Sequence, residues 1–293
     1  FGPYKMMGAP KMNQARGMES VRDNRYTNLV RTLGYEQRFE GDMNMIYVRF
    51  PIHLGVVGYR VCLINGSIQD ELDKVTSHED LAKCTHGQGR GWADVAILRH
   101  NGFKVLEIAE YESLFKMTAA SRGIHLFCRG VNEVQDEYER HTHLDGLALD
   151  KAITIFYPLP RFYYMHKSNK ELARRIKVGL ERAYADGSLH KLWEESYRES
   201  INFVAMNDRR FFYYDSPLVS TIDFDYQSYF YRPEKNVPTI TDSFQSGHSV
   251  IDPEEKDSSK SPSSTSSPSS VSPSSVSPSS ESPSADKSKV TSK

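Results

Sequence analysis

The chain has 293 residues, a formal net charge of −1 at pH 7, 38% hydrophobic residues and 11% aromatic residues. This length and apolar content predict one large or two small domains with a buried core, extending to about residue 235. A mixed, near-neutral charge argues against nucleic-acid binding, which needs a basic surface. No apolar run approaches the roughly 18 residues of a membrane span, so the sequence predicts no transmembrane helix.

The chain begins at Phe1 without an initiator methionine or a signal-peptide pattern, which indicates a processed form or a fragment. Its three cysteines, Cys62, Cys84 and Cys128, allow at most one internal disulfide. Three buried free thiols are an equal alternative. None of the cysteines has metal-ligand spacing, and we expect neither a metal nor another cofactor.

Strands and helices alternate along the chain. Apolar runs bounded by turn residues predict strands at 4–7, 28–33, 45–50, 59–64, 104–108, 125–128, 153–156 and 162–166. Amphipathic patterns and capping residues predict helices at 14–23, 111–121, 132–140, 170–186 and 189–197, and a further helix with Ser77 as its N-cap. This alternation predicts an α/β fold with layered, largely parallel sheets.

Residues 87–108 carry the most informative pattern, a glycine-rich turn followed by an amphipathic helix and a buried strand. A helix whose first turn contains Gly89, Arg90 and Gly91 would offer free N–H groups and a guanidinium to an anion. A tight loop that uses glycine for positive φ is an equal alternative. Residues 129–132 also leave a strand and open a helix. The two loops together predict an electropositive pocket at the carboxyl ends of the strands.

Several motifs follow one another in a characteristic order. They are NQAR at 13–16, RFPIHLGVVGYRVCLI at 49–64, GQGRGWADVAIL at 87–98, FCRGVNEV at 127–134 and YPLPRFYYM at 157–165. Over residues 1–233 this order resembles bacterial extracellular solute-binding proteins, the transporter substrate-binding domain proteins of the type 2 periplasmic-binding-protein fold.

The resemblance implies two α/β lobes joined by two hinge crossings, near residues 51–59 and 153–160. Lobe 1 would comprise residues 1–57 and 155–235, and lobe 2 would comprise residues 58–154. Members of the family begin with a further strand and helix of lobe 1, so this chain would lack them. That departure again indicates a fragment.

The resemblance also implies a solute held in the cleft between the lobes, and the two arginine-bearing loops predict that this solute is small and anionic. We expect Arg90 and Arg129, with the backbone amides of 89–92, to hold its anionic group. Flat apolar walls would come from Trp92 and Tyr157, and lobe 1 would close with the residues at the start of its helix. The predicted ligand-binding residues are Gln14, Arg16, Gln88, Gly89, Arg90, Gly91, Trp92, Arg129 and Tyr157. The alternative for Trp92 is the core of lobe 2, and for Arg16 a solvated helix position.

Residues 236–293 differ in composition from the rest of the chain. Between 257 and 284 they repeat SPSS-type units with almost no apolar residue, which predicts a disordered tail. Such a tail is typical of an extended stalk or linker, and a solubilising terminus is an equal alternative.

The function predicted from these patterns is solute binding without chemistry. The resemblance implies a secreted protein, extracellular or periplasmic, whose partners are a small solute and a membrane permease. The tail and the aromatic runs at 211–214 and 226–231 motivate an alternative, a secreted extracellular-matrix or structural protein that has kept the fold and lost transport-linked binding. No segment resembles a nucleophile elbow, a Walker loop or an HExxH helix, so we predict no enzymatic activity.

Overall fold

The computed structural model describes residues 2–12, 14–37, 42–230 and 249–251. Its helices are α1 (Gln14–Arg22), α2 (Gln69–Leu72), α3 (His78–Leu81), α4 (Ala93–His100), α5 (Tyr111–Ala119), α6 (Val131–His141), α7 (Lys170–Ala185) and α8 (Ser188–Phe203). Its strands are β1 (Arg31–Gly34), β2 (Met45–Tyr47), β3 (Tyr59–Asn65), β4 (Thr85–Gly89), β5 (Lys104–Ile108), β6 (Phe127–Gly130), β7 (Leu147–Leu149), β8 (Ile153–Phe156), β9 (Arg161–His166), β10 (Arg210–Tyr213) and β11 (Ser249–Ile251). The predicted α/β class is confirmed.

The described strands form three sheets. The first has the order β1-β9-β2, the second has the order β11-β10-β8-β3-β6 with β7 also paired to β3, and the third is the pair β4-β5. Among these named strand pairs only β10 with β8 and β4 with β5 are parallel. The prediction of largely parallel sheets is therefore wrong. Alternation of strands and helices does not say which strands become neighbours, and β3 pairs in the antiparallel direction with β6, β7 and β8.

Two hydrophobic clusters form the core. The smaller one joins α1, β1, β2 and β9 through side chains that include Val21, Leu33 and Phe162. The larger one is centred on β3, whose apolar residues Val61, Leu63 and Ile64 are fully buried. Helices α7 and α8 contribute to the larger cluster, and α8 packs against α6.

The two predicted hinge crossings run beside each other. Tyr59 pairs with Phe156, and the Tyr157 N–H donates to the Gly58 carbonyl at 3.3 Å. Farther along, the Ile52 N–H donates to the Arg161 carbonyl at 3.1 Å. Backbone hydrogen bonds therefore tie the two segments together.

Several element predictions need correction. The strand predicted at 4–7 is irregular, and Tyr4 and Met6 are exposed, because no neighbouring strand is paired with this run. Helix α8 extends to Phe203, beyond the predicted end at 197. Strands β4, β7 and β10 were not predicted. The Ser77 N-cap is confirmed, since its Oγ accepts from the Asp80 N–H at 3.2 Å. The predicted disordered tail at 236–293 lies outside the described residues, apart from the short strand β11.

One disulfide joins two neighbouring strands. Cys62 on β3 is paired in register with Cys128 on β6, and the two are bonded. Cys84 is a free, half-buried thiol. Of the alternatives that the sequence left open, one bridge and one remaining thiol is the arrangement found.

Arg209 and Asp150 form a buried ion pair. Arg209 and Asp150 have side-chain exposures of 1% and 0%, and the Arg209 Nη1 lies 3.2 Å from the Asp150 Oδ2. The guanidinium also donates to the carbonyls of Val204 and Ile153, at 2.6 and 2.8 Å. The carboxylate accepts from the N–H of Ala152 and of Ile153. Nearly every polar atom of the pair is thus satisfied, which a buried charge requires.

Acid is expected to destabilise the fold through His86. Burial, with a smaller contribution from the charge of His125, lowers the pKa of His86 from 6.5 to about 3. At a pH between these values the unfolded chain binds a proton on His86 and the folded chain does not. The free energy of unfolding is therefore unaffected by this group above about pH 6.5 and decreases as the pH falls toward 3. Between pH 7 and 4.5 this group alone should remove about 2–3 kcal/mol from the free energy of unfolding.

Urea unfolding at pH 7 and pH 4.5 measures this effect. We expect His86→Leu to reduce the pH dependence relative to the wild type, and His143→Leu, at an exposed position, to leave it unchanged. An unaltered pH dependence in His86→Leu would contradict the assignment.

Candidate functional site

The glycine-rich turn lies at the end of a strand. Gly89 pairs with Ile108 in the parallel β4-β5 ladder, and helix α4 begins only at Ala93. The prediction that Gly89, Arg90 and Gly91 form the first turn of a helix is therefore wrong. The strand pairing keeps Gly89 extended, and Gly91, at φ +76°, makes the turn that a β-carbon would disfavour.

The backbone amides of this turn already have acceptors. The Arg90 N–H donates to the Ile108 carbonyl at 3.0 Å and the Trp92 N–H to the Gly89 carbonyl at 3.1 Å. The Gly91 N–H faces the Glu107 carboxylate at 3.4 Å. An anion at this turn would have to replace these bonds, so the exposed Arg90 side chain is the group that the turn offers to a solute.

Trp92 brings the turn and the second predicted loop together. Its indole ring lies against the Arg129 guanidinium, 4.6 Å from ring centroid to Cζ, and packs beside Phe127. A β-carbon on Gly89 would lie 2.2 Å from the same indole ring, so only glycine fits there. Gly89, Trp92 and Arg129, predicted separately from two motifs, are thus neighbours. Trp92 itself is half-buried.

Arg129 is held by two carboxylates of α6. Its Nε and Nη2 donate to Glu137 at 2.7 and 2.9 Å, and its Nη2 lies 3.0 Å from Glu133. Burial opposes the charged guanidinium, but the hydrogen bonds and charge of Glu137 outweigh it and raise the pKa of Arg129. The Nη1 atom makes no hydrogen bond within the described residues. Arg129 therefore keeps one donor for a further acceptor.

A second buried cluster adjoins the first. The Arg60 Nη2 lies 3.1 Å from the Asp94 Oδ1, and the side chains are only 4% and 9% exposed. The Tyr157 hydroxyl donates to the same carboxylate oxygen at 2.5 Å, and the Arg60 guanidinium lies 5.4 Å from the Tyr157 ring centroid. Burial raises the pKa of Tyr157 well above its ordinary value, so the hydroxyl stays protonated and donates.

The two clusters meet at the pairing of β3 with β6. Arg60 is opposite Gly130, the residue that follows Arg129. A β-carbon on Gly130 would lie 3.4 Å from the Glu133 Oε2 and 3.5 Å from the Arg60 Nη1. Two guanidinium groups thus face the carboxylates of Asp94, Glu133 and Glu137, which leaves the joint cluster a formal charge of −1.

Unpaired polar atoms occur within this cluster and on residues next to its contacts in sequence. Both amide atoms of Gln88, the Asn132 Oδ1 and the Arg60 Nε are buried and lack a hydrogen-bond partner within the described residues. Native proteins rarely leave such atoms unsatisfied, and water or a ligand commonly supplies the missing partner. Gln88 is one of the predicted site residues, and its side chain is fully buried on β4.

The predicted lobe 1 residues lie on another element. Gln14 and Arg16 belong to α1, which packs on β1 and β9 in the smaller core. Arg16 is exposed, and the side chain of Gln14 lies outside the part of the chain that is described.

Sequence reasoning missed Arg60, Asp94 and Glu137 as members of the site. A signal existed for Arg60, the only charged residue in the otherwise apolar run YRVCLI. Asp94 follows the glycine-rich turn in the first turn of α4, where an acidic side chain is favourable. Glu137 lies eight positions after Arg129 and carried no such signal.

Replacing Tyr157 with phenylalanine is expected to lower the free energy of unfolding by about 1–2 kcal/mol. Asp94 would lose its hydroxyl donor while remaining buried beside Arg60. Tyr138→Phe is the matched control, because the half-buried Tyr138 makes no described hydrogen bond through its hydroxyl. Equal stability of the two variants in urea unfolding would show that the Tyr157 bond contributes nothing.

The described residues contain no group of three or more His, Cys, Asp or Glu side chains placed to hold a metal ion. In the same part of the chain, no helix has the length and apolar character needed to cross a membrane.

No protein-family model matches the sequence, and no curated protein matches it. Solved structures do match by fold. An ancestral arginine-binding protein bound to arginine has a TM-score of 0.44 and 15% identity, over 64% of this chain and 79% of its own. The GluR0 ligand-binding core in complex with L-glutamate has a TM-score of 0.45 and 11% identity, over 63% and 78%.

A third structure is the amino acid ABC transporter substrate-binding protein AbpA from Streptococcus pneumoniae Canada MDR_19A, bound to L-arginine. It has a TM-score of 0.42 and 16% identity, over 63% of this chain and 73% of its own.

Proposed function

We propose that this chain is a secreted solute-binding protein that holds a small solute between two lobes and performs no chemistry on it. The observation that carries the proposal is the buried wall around Trp92 and Arg129, with Arg60, Asp94 and Tyr157 beside it. A binding site needs fixed polar groups next to flat apolar surface, and this wall offers both.

The division into lobes is part of the proposal. Lobe 1 comprises 1–57 and 155–235, and lobe 2 comprises 58–154. Two separate hydrophobic clusters and two hydrogen-bonded crossing segments support it. The packing of α8 on α6 adds that the C-terminal helices contact lobe 2, which the sequence reasoning had not anticipated.

The solute is proposed to carry an anionic group together with a cationic one. Its anionic group would contact the exposed Arg90 and the remaining Nη1 donor of Arg129. The formal charge of −1 on the joint cluster disfavours a purely anionic solute and supports a cationic group near Glu133. A zwitterion such as an amino acid has both groups. The arginine- and glutamate-bound proteins of similar fold suggest the same class of probe.

Secretion and partnership with a membrane permease follow from the same proposal. A buried disulfide supports an oxidising compartment, since such bonds persist outside the cytosol. The alternative of a matrix or structural protein rested on the tail, which lies outside the described residues, and on aromatic runs that could form an adhesive surface. Phe211, Phe212 and Tyr214 are buried in the larger core, so the run at 211–214 does not support such a surface.

A thermal-shift panel tests the proposal. The chain is heated with arginine, glutamine, glutamate, succinate and glycerol phosphate, and the solvent extract of the purified protein is analysed by mass spectrometry for a retained solute. We expect at least one amino acid to raise the melting temperature. The two dianions, succinate and glycerol phosphate, should have smaller effects. Arg90→Ala should weaken the shift, whereas Arg122→Ala, at an exposed position outside the site, should not. If no probe shifts the transition and no solute is retained, the proposal fails.

A further inference from the structure

A cavity of about 500 Å³ lies beside the C-terminal end of α4. Its lining combines His100 of α4, Pro158 after β8, and side chains from the segment 215–227 that follows β10. None of these residues belongs to the Arg129 or Asp94 clusters. By the proposed division His100 belongs to lobe 2 and the other lining residues belong to lobe 1, so the cavity lies between the lobes and shares no lining residue with those clusters.

The charge of this lining is one-sided. Asp215 supplies a carboxylate, and no lysine or arginine is among the described residues that line the cavity. Pro158, Pro217 and Tyr226 supply apolar surface. A cavity with a carboxylate at an exposed position and flat apolar walls favours a cation over an anion.

Two hydroxyl groups of the lining are available. The Tyr226 oxygen accepts from the Gln227 Nε2 at 3.1 Å, and its own hydrogen has no acceptor within the described residues. Burial raises the pKa of Tyr226 to about 12, so this hydrogen is retained. Ser216 is buried, with a relative exposure of 7%, and its Oγ has no hydrogen-bond partner among the described residues. Both hydroxyl oxygens can also accept a hydrogen bond, which water or the ammonium group of a ligand would supply.

The carboxylate is carried on a fixed backbone. The Asn101 Nδ2 donates to the carbonyls of Ile97 and Asp215, each at 2.8 Å, and so ties the 215–227 segment to the end of α4. Asn101 is itself buried. The position of Asp215 at the cavity is thus set by the fold, which reduces the entropy lost on binding.

We propose that this cavity binds a small organic cation with an apolar body, whose ammonium group pairs with Asp215 while the body packs against Pro158, Pro217 and Tyr226. This site shares no residue with the wall around Trp92 and Arg129 that the proposed solute would contact. It gives the chain a second ligand, of a different chemical class from the first.

Isothermal titration calorimetry on the full chain tests the proposal with three probes of similar shape, which are 2-phenylethylamine, 2-phenylethanol and phenylacetate. The amine is expected to bind at least about tenfold more tightly than the alcohol or the acid, because only its ammonium group carries a positive charge that pairs with the Asp215 carboxylate. Asp215→Asn should reduce amine affinity by about the same factor. Ser220→Trp, which fills the cavity from an exposed position, should abolish binding.

Two controls keep the test decisive. Asp136→Asn removes an exposed carboxylate of α6 away from the cavity lining and should leave amine binding unchanged. Far-UV circular dichroism verifies that each variant is folded. The proposal is overturned if the amine and the alcohol bind equally, if no probe binds at millimolar concentration, or if Asp215→Asn keeps wild-type affinity. Loss of amine binding in a folded Trp92→Leu variant would assign the probe to the wall around Trp92 and Arg129 and would also overturn the proposal.

Discussion

Replacing Arg209 with methionine is expected to lower the free energy of unfolding by about 3–5 kcal/mol. Arg209 and Asp150 are almost completely buried, and the substitution removes the guanidinium that balances the Asp150 charge. The carboxylate would keep the N–H groups of Ala152 and Ile153 but no cation. Breaking one side of a buried pair costs more than the pair contributes, because the remaining charge has lost its solvation.

Urea unfolding of three variants separates this effect from a general loss of surface charge. Arg174→Met breaks an exposed pair with Glu171, whose side chains are 61% and 73% exposed, and should produce no measurable change. The double variant Arg209→Met with Asp150→Leu should recover part of the loss, since no unpaired charge remains. A small effect of Arg209→Met alone would contradict the role of this pair.

Substitutions at Arg129 are expected to change stability and solute binding independently of each other. Arg129→Met should lower the free energy of unfolding by about 3 kcal/mol, because Glu137, with a side chain only 8% exposed, loses its paired cation. Adding Glu137→Leu removes that unpaired charge. The double variant should return to within about 1.5 kcal/mol of the wild type, as apolar replacements of buried pairs often do.

Solute binding should not recover in this double variant, because the Arg129 guanidinium and its contact with Trp92 are both gone. Urea unfolding gives the stability of each variant, and the thermal shift with the best probe of the panel gives its binding. If the double variant were as unstable as Arg129→Met, the pair would not account for the loss.

Much of the fold follows from local patterns. The strand predicted at 104–108 has the bounds of β5, and the strand predicted at 153–156 has those of β8, because each is an apolar run closed by turn residues. The helix predicted at 170–186 differs from α7 by one residue. Its apolar stripe of Leu172, Ile176 and Leu180 packs half-buried on the larger core.

Strand β4 shows where local patterns fail. Its sequence THGQG contains two glycines, and threonine is its only β-branched residue, so nothing local favours a strand. The segment is extended because it pairs with β5 and bridges to Leu126. Because of that pairing, α4 begins only at Ala93. The Arg90 N–H, one of the amides expected to bind an anion, donates to the Ile108 carbonyl instead.

The candidate site could be predicted only in part. The motifs singled out Trp92 and Arg129, and the structure brings these two side chains into contact. The partners of Arg129 depend on how α6 turns away from β6, which places Glu133 and Glu137 beside the guanidinium. The grouping of Arg60, Asp94 and Tyr157 depends on β3, α4 and the segment after β8 meeting in space. No spacing within the sequence encodes such a meeting.

The most direct test of the central proposal is isothermal titration calorimetry of the amino acid probe that gives the largest thermal shift, on the wild type and on the double variant Arg129→Met with Glu137→Leu. We expect one solute per wild-type chain and at least a hundredfold weaker binding by the double variant, equivalent to about 2.7 kcal/mol. Equal affinity of the two folded proteins, or no binding by the wild type, would contradict it.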